Sequence, residues 1–365
     1  MAQTEAFPSK RLVPLDAFRG ATIALMVLVN DPGDGRHSYG PLQHSAWNGW
    51  TITDVVFPSF LWIVGVAITL SLGKRLAEGA PKAKLLMQAA RRALIIYVLG
   101  LVVYAWPIHL STQRLLGVLQ RIAICYFIAA AIYLYCKLHG QLMWLAGLLI
   151  VYWLLMTLIP VPCFGAGRLD VEGNLAHYID RIVLGAHNYA STKTWDPEGI
   201  VSTVPAIATA LLGVMAGHLI RVQRQLTERV TWMFFTGNAL IALGMICDMW
   251  LPINKKLWTT SFSLFMGGLD FVLLAMFIWL LDHLGYQRYV RPFVIMGMNS
   301  IAVYMASELG DTLLGETGWH HAIYNNVFAP FASPANASLL YAICYVLLMY
   351  AIAYLMYKRK WFWRA

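Results

Sequence analysis

Long apolar runs recur along the whole chain, and they constrain its fold more than any other feature of the sequence. Residues 211–219, 272–281 and 339–356 are examples. Hydrophobic residues make up 59% of the 365 residues and charged residues only 12%, whereas a soluble domain carries about 25% charged residues. This pattern predicts an all-α protein, a polytopic transmembrane helical bundle.

About ten segments approach the roughly 20 apolar residues that a helix needs to cross a membrane. The predicted spans are residues 14–30, 52–73, 92–106, 115–136, 142–160, 201–220, 231–250, 257–281, 292–309 and 337–357. The largest loops on the predicted outer side are residues 161–200 and 310–336. With no internal repeat in the sequence, we expect residues 1–365 to form a single integral-membrane domain.

The distribution of lysine and arginine predicts the orientation, because cytoplasmic loops carry an excess of both residues. Most of the 27 lysines and arginines fall on one side of the predicted topology. That side, with both chain termini, is therefore expected to be cytoplasmic. The net charge of +9 is then the loop charge of an integral membrane protein and does not indicate nucleic-acid binding.

A polar and aromatic cluster lies immediately before the second predicted span, in GPLQHSAWNGWTITDVVFPSF (residues 40–60). Its candidate site residues are His44 and Asp54 as catalytic groups, and Trp47 and Asn48 as substrate-binding groups. Histidine can exchange a proton near neutral pH, which suits general acid–base chemistry. A structural histidine between interfacial tryptophans is the alternative, and residue chemistry leaves both open.

Asn30 and Asp31 end the first predicted span, and the glycine-rich loop after them can fold the chain back toward His44. An asparagine can polarise a carbonyl group or orient an imidazole ring. We therefore include Asn30 among the catalytic candidates and Asp31 among the substrate-binding candidates.

Two arginines at the fourth predicted span are seven residues apart and share one helix face. Arg114 and Arg121, with Gln120 beside them, are typical of a passage for an anion such as a phosphorylated ligand. The alternative is that these arginines pair with carboxylates within the spans.

Two further motifs fall on the predicted outer side. The segment TWDPEGIVSTVPA (residues 194–206) places Trp195, Asp196 and Glu198 where a sugar ring could be bound, although the same residues could cap the following helix. The segment PINKKLWTTSF (residues 252–262) puts Lys255 on an outer turn, where an anionic partner or snorkelling would account for it.

Carboxylates within the predicted spans also suit a different class of protein. Asp54, Asp270 and Glu308 must be paired or protonated in a membrane. A proton-coupled transporter or flippase of a glycan-type substrate is therefore the alternative function.

Six motifs occur in an order that resembles a known family. They are RLVPLDAFRGATIALMVLVND, LQHSAWNGWTITDVVFPSFLWIVG, RLLGVLQRIAICY, WDPEGIVSTVPAIATALLG, INKKLWTTSFSLFMGG and GMNSIAVY. Together they resemble the bacterial relatives of heparan-α-glucosaminide N-acetyltransferase, a transmembrane acyltransferase. The resemblance extends over residues 11–304.

The resemblance implies transfer of an acetyl group from cytosolic acetyl-CoA to the amino group of a glucosamine-type sugar on the far side of the membrane. It identifies His44 as the active-site histidine and Asn30 as a second active-site residue. The expected location is a bacterial inner membrane, and no metal is expected. The expected acetyl-CoA contacts are Arg19, Arg91, Arg92, Arg114, Gln120 and Arg121. The oligomeric state stays open, with a homodimer among the arrangements to be tested.

Overall fold

The structure is a computed structural model, and it describes residues 12–105, 110–222 and 225–363. Its helices are α1 (Val13–Asn30), α2 (Ile52–Ala77), α3 (Lys82–Val103), α4 (Val118–Tyr135), α5 (Leu138–Leu158), α6 (Leu175–Val183), α7 (Ile200–Arg221), α8 (Leu226–Asp248), α9 (Thr260–Ile278), α10 (Arg291–Met298), α11 (Ser300–Glu316), α12 (Trp319–Ile323) and α13 (Pro334–Lys358). A π-helical turn, Trp279–His283, extends α9.

Within the described part of the chain, nine helices are long and apolar enough to cross a membrane. The bent pair α10 and α11 raises the number to ten if the pair forms one span. The prediction of an all-α membrane protein with about ten spans is therefore confirmed. The chain termini lie outside the described residues, and their cytoplasmic location stays a prediction.

Two spans differ from the sequence prediction. The third helix begins at Lys82 and not near residue 92, so Arg91 and Arg92 lie within a helix and not in the loop before it. Charged side chains lower the hydropathy of this first part without preventing helix formation, because lysine and arginine are good helix formers. The predicted outer loops 161–200 and 310–336 also contain short helices, α6 and α12.

The ninth predicted span is broken at Asn299, where α10 and α11 meet at an angle of 82°. The Asn299 side chain binds the chain that follows α13. Its Nδ2 donates to the Trp361 carbonyl oxygen at 3.1 Å, and its Oδ1 accepts from the Trp363 amide at 3.0 Å. One side chain therefore connects the helix break to the segment after the last helix.

The described residues divide into two compact units. The α1 unit contains residues 12–40, 225–231 and 272–363, and the α2 unit contains residues 41–105, 110–222 and 232–271. In the α1 unit, α1 and α10 are in backbone contact, since a Cβ atom on Gly20 would lie 1.6 Å from the Phe293 carbonyl oxygen.

In the α2 unit, α2 and α7 pack with their backbones in contact. A Cβ atom on Gly65 would lie 1.9 Å from the Ala210 carbonyl oxygen, and one on Gly213 would lie 1.9 Å from that of Trp62. Small residues permit such close approach between membrane helices. Further along, Gly217 of α7 packs on Thr69 of α2, so the two helices run parallel and begin at the same end of the unit.

Candidate active site

His44 and Asp54 form a hydrogen-bonded pair at the start of α2. His44 Nδ1 lies 2.7 Å from Asp54 Oδ1. The imidazole side chain is 51% exposed, whereas the carboxylate is 1% exposed. A buried carboxylate that accepts from Nδ1–H fixes one tautomer of the ring and leaves the Nε2 lone pair free to react.

The start of α2 explains why Asp54 is held in place. Its Oδ2 accepts from the backbone amides of Ser45 at 3.0 Å and Thr51 at 3.1 Å, and from the Thr51 hydroxyl at 3.2 Å. Asp54 is three residues after Thr51, the residue that precedes the helix, which is the spacing of a capping box. The same carboxylate therefore stabilises the first turn of the helix and orients the histidine.

A loop distant in sequence supplies the third polar side chain of this site. Lys255 Nζ lies 3.1 Å from His44 Nδ1 and 3.4 Å from Asp54 Oδ1. Backbone pairing positions the loop, since the Gly49 amide donates to the Ile253 carbonyl oxygen at 2.7 Å. Burial lowers the pKa of Lys255, although the nearby Asp54 and Glu198 carboxylates oppose this change. For Lys255 the sequence left an anionic partner and snorkelling open, and in the structure Asp54 is an anionic partner.

Asn48 and Trp47 lie beside this loop. Asn48 Oδ1 accepts from Asn254 Nδ2 at 3.2 Å, and Trp47 Nε1 donates to the Leu169 carbonyl oxygen at 3.0 Å. Lys256 Nζ donates to the Ala46 carbonyl oxygen at 2.6 Å and lies 5.8 Å from the centre of the Trp47 ring. The two lysines of this loop therefore have different partners.

Trp47 and Trp195 belong to one aromatic group, whose third ring, His177, was missed by sequence reasoning. His177 stacks on Trp195 with ring centroids 4.0 Å apart, and the centroids of Trp47 and Trp195 are 6.2 Å apart. Burial lowers the pKa of His177 to about 4, so its imidazole is neutral at physiological pH. Only Trp47 of these three rings is more than marginally exposed.

Arg114, Asp196 and Glu198 form a buried ionic group. Arg114 Nε lies 2.8 Å from Asp196 Oδ2, its Nη2 lies 2.6 Å from Asp196 Oδ1, and Nη2 also donates to Glu198 Oε2. Burial lowers the pKa of Arg114, but the two carboxylates outweigh burial and raise it above its ordinary value. The rings of Tyr104 and Tyr189 flank the guanidinium, with centroids 4.8 and 4.4 Å away.

Replacing Arg114 with leucine should strongly destabilise the protein. The change leaves two buried carboxylates, Asp196 and Glu198, without their cation, and breaking a buried ion pair in this way typically costs about 3–5 kcal/mol. Thermal melting of the purified protein in detergent measures the effect. Arg168→Leu is the matched control, because Arg168 pairs with Asp170 on the surface, where both side chains are about half exposed. A melting temperature for Arg114→Leu that matches this control would contradict the expected role.

Arg121 is fully buried among residues of α2, α7 and the loop before α9. Its Nη2 donates to the Ser202 hydroxyl at 2.5 Å and to the Gly199 carbonyl oxygen at 3.2 Å. The Trp258 ring lies 5.1 Å from the guanidinium carbon. Within the described residues, Arg121 Nε and Nη1 have no hydrogen-bond partner, and neither do the two amide atoms of Gln120. These two side chains therefore retain hydrogen-bonding capacity for a ligand.

The remaining predicted residues lie on other elements. Arg91 and Arg92 are exposed on α3, and Arg92 lies over the Tyr126 ring at 5.3 Å. In the α1 unit, Arg19 pairs with Asp16 at 3.0 Å, and Asn30 Nδ2 lies 3.4 Å from Glu308 Oε1. Asp31 is 4% exposed and accepts from the Ser307 hydroxyl at 2.6 Å.

Asp31→Asn is expected to flatten the pH dependence of thermal stability. Burial raises the pKa of Asp31 to about 8; the Ser307 hydrogen bond opposes this rise, and the Asp311 and Glu308 carboxylates add to it. The folded protein then keeps this proton up to about pH 8, whereas an unfolded chain loses it near pH 4, so stability falls as pH rises between these values. Melting temperatures at about pH 5 and about pH 8 test this. Equal slopes for wild type and variant would contradict it.

The fold and the site define an integral membrane protein with a histidine–aspartate pair at the start of a membrane-spanning helix. The chain belongs to a family described as heparan-alpha-glucosaminide N-acetyltransferase, catalytic, whose family model matches residues 11–253. His44, Asp54 and the Arg114 group all lie in the matched region.

Two relatives carry the same name, one from Mus musculus and one from Homo sapiens, and each is 30% identical to this chain. The alignments cover 99% of the chain and 62% of the mouse protein, and 97% of the chain and 60% of the human protein. The chain thus spans about three fifths of the length of these relatives.

Proposed function

We propose that the protein is a transmembrane acetyltransferase. It moves an acetyl group from cytosolic acetyl-CoA to an amino sugar or related glycan on the outer side of a bacterial inner membrane. The observation that carries the proposal is the half-exposed His44 imidazole held through Nδ1 by the buried Asp54 carboxylate. Membership of the N-acetyltransferase family supports the choice of reaction.

The pair can promote acetyl transfer in two ways. As a nucleophile, His44 Nε2 attacks the thioester carbonyl carbon and the thiolate of CoA leaves. The acceptor amine then takes the acetyl group from the ring and loses a proton, which the CoA thiolate accepts. As a base, Nε2 takes the proton of the amine while the amine attacks the thioester, and the proton passes to the leaving sulfur. In both cases Asp54 stabilises the positive charge that develops on the imidazole.

The other predicted residues enter the proposal in two groups. Arg121 and Gln120 support acetyl-CoA binding through their unpaired buried atoms. Arg19, Arg91, Arg92 and Arg114 stay proposed acetyl-CoA contacts on the charge of their side chains alone. The proposed acceptor residues are Asp31, Trp47, Asn48, Trp195, Asp196, Glu198 and Lys255. The partly exposed ring of Trp47, three residues after His44, supports the acceptor group. The role of Asn30 comes from the family resemblance.

Purified protein incubated with acetyl-CoA labelled in the acetyl group tests the function. With glucosamine or a glucosamine-terminated oligosaccharide as acceptor, we expect labelled N-acetylated product and free CoA, detected by mass spectrometry. Acetyl-CoA without acceptor separates the two routes, because only the nucleophilic route gives acetylated protein that His44→Ala lacks. Absence of both CoA binding and acetyl transfer would favour the transporter alternative.

The orientation is tested by cysteine labelling in a variant that lacks the five native cysteines. An impermeant thiol reagent applied to cells with a permeabilised outer membrane should label Ser38→Cys and not Ala80→Cys, because the positive residues predict that the loop around residue 80 is cytoplasmic. Labelling of Ala80→Cys alone would reverse the orientation and the direction of transfer.

A further inference from the structure

Two hydrogen-bonding atoms lie within reach of His44 Nδ1, and only one arrangement of protons satisfies both. Asp54 Oδ1 lies 2.7 Å from Nδ1, and Lys255 Nζ lies 3.1 Å from the same nitrogen. A ring nitrogen either carries a proton and donates or carries a lone pair and accepts. If Nδ1 accepted from Lys255, its lone pair would face the carboxylate oxygen at 2.7 Å without a proton between them. With Asp54 ionised, Nδ1 must therefore donate to Asp54.

Lys255 then cannot be a hydrogen-bond donor to His44 and acts on it through charge. Its ammonium group is 3.4 Å from Asp54 Oδ1, so it offsets the charge of the carboxylate that would otherwise favour a protonated ring. The same ammonium group also repels a second proton on the imidazole. The Lys255 side chain is 17% exposed, which limits screening of this interaction by water.

We infer that Lys255 is a positioning residue that keeps the His44 imidazole neutral, with Nε2 free to react. The inference rests on the proposed function of His44 in acetyl transfer. It gives Lys255 a role that differs from contact with the acceptor. A neutral ring is the reactive form in both routes, because a protonated imidazole can neither attack the thioester nor accept a proton from an amine.

The other charged groups around this site do not replace Lys255. Glu198, just before α7, acts on Lys255 through space and pairs with Arg114. Lys256, the next residue along the chain, directs its ammonium group to the Ala46 carbonyl oxygen and the Trp47 ring. Lys256→Met is therefore a matched control that removes the same charge from the same loop without removing a contact of His44.

The test measures the pH at which half of the His44 population reacts with diethyl pyrocarbonate. This reagent acylates a neutral imidazole nitrogen and releases ethanol and carbon dioxide, and mass spectrometry of the His44 peptide follows the reaction. Lys255→Met should shift the midpoint upward by at least about one pH unit, the lower limit that full screening by water would give for a charge at this distance. Lys256→Met should leave the midpoint near that of wild type. Lys255→Arg, which keeps the positive charge, should have a midpoint closer to that of wild type than to that of Lys255→Met.

The acidic limb of the pH profile of acetyl transfer should move in the same direction in Lys255→Met. A merely structural lysine would give a lower melting temperature or a uniform change in reactivity, without a shift of the midpoint. An unchanged or lowered midpoint in Lys255→Met, or an equal shift in Lys256→Met, would overturn the inference. Because the reagent needs no acetyl-CoA, a shifted midpoint in a protein without transferase activity would reject the proposed function and keep the role of Lys255.

Discussion

His44→Ala is expected to reduce acetyl transfer by roughly a thousandfold or more, the order of loss seen when a nucleophile or base is removed from such a site. Its melting temperature should stay close to that of wild type, because the imidazole is half exposed and Asp54 keeps its hydrogen bonds from the Ser45 and Thr51 amides. Rates at saturating acetyl-CoA and melting curves of the two proteins in detergent provide the measurement. A variant that keeps more than about a tenth of the activity would remove His44 from the chemistry.

A second histidine offers a matched control. His37 Nδ1 lies 2.7 Å from Asp34 Oδ2, the same distance as in the proposed catalytic pair, and its side chain is 54% exposed. The Asp34 carboxylate is 29% exposed, however, whereas that of Asp54 is 1% exposed. His37→Ala should therefore retain activity, and a comparable loss in both variants would indicate that the assay reports general damage.

Asp54→Asn should lower the rate of transfer by about a hundredfold to ten-thousandfold while binding of acetyl-CoA changes little. An asparagine amide can donate to Nδ1, which would move the ring proton to Nε2 and block the reactive lone pair. The maximal rate should therefore fall far more than KM for acetyl-CoA rises. A wild-type maximal rate in Asp54→Asn would show that the tautomer of His44 does not matter.

Asp54 also begins α2, so loss of stability must be separated from loss of chemistry. Thr51→Val removes a hydroxyl that lies 2.6 Å from the Gln43 carbonyl oxygen and 3.2 Å from Asp54 Oδ2, and it leaves the contact between Asp54 Oδ1 and His44 Nδ1 in place. We expect this variant to lose about 1 kcal/mol of stability, as capping substitutions do, and to keep most of its activity. If Thr51→Val lost as much activity as Asp54→Asn, the activity loss of Asp54→Asn would be caused by disruption of the first turn of α2 and not by loss of the His44 contact.

The spans could be predicted from the sequence because each depends on the composition of one continuous segment. The errors in the third and ninth predicted spans have local causes. Charged residues lowered the hydropathy of the first ten residues of α3, so the predicted span began too late. The helix break at Asn299 lies in a continuous apolar stretch, where hydropathy gives no sign of a break. The residues Gly297 and Asn299 were the available signal, since both are poor helix formers.

The partners within the site could not be predicted in the same way. His44 was selected from its own segment, but its contact with Lys255 joins residues 211 positions apart. Arg114 was expected to bind a phosphorylated ligand or a carboxylate within a span, and its partners are Asp196 and Glu198 of the loop before α7. Charge patterns identify groups that need a partner, and only the packing of the helices decides which partner each group receives.

The two hydrogen bonds between the Asn299 side chain and the segment after α13 affect the order in which the structure can form during synthesis. The residues that it binds lie 62 and 64 positions further along the chain. At about 5–20 residues per second, a ribosome needs on the order of several seconds to synthesise that stretch. During this interval the bend between α10 and α11 lacks the hydrogen bonds from Asn299 to the later segment. This part of the α1 unit is therefore completed only after α13 has been synthesised. Loss of residues 361–363 would leave the bend permanently in that earlier state.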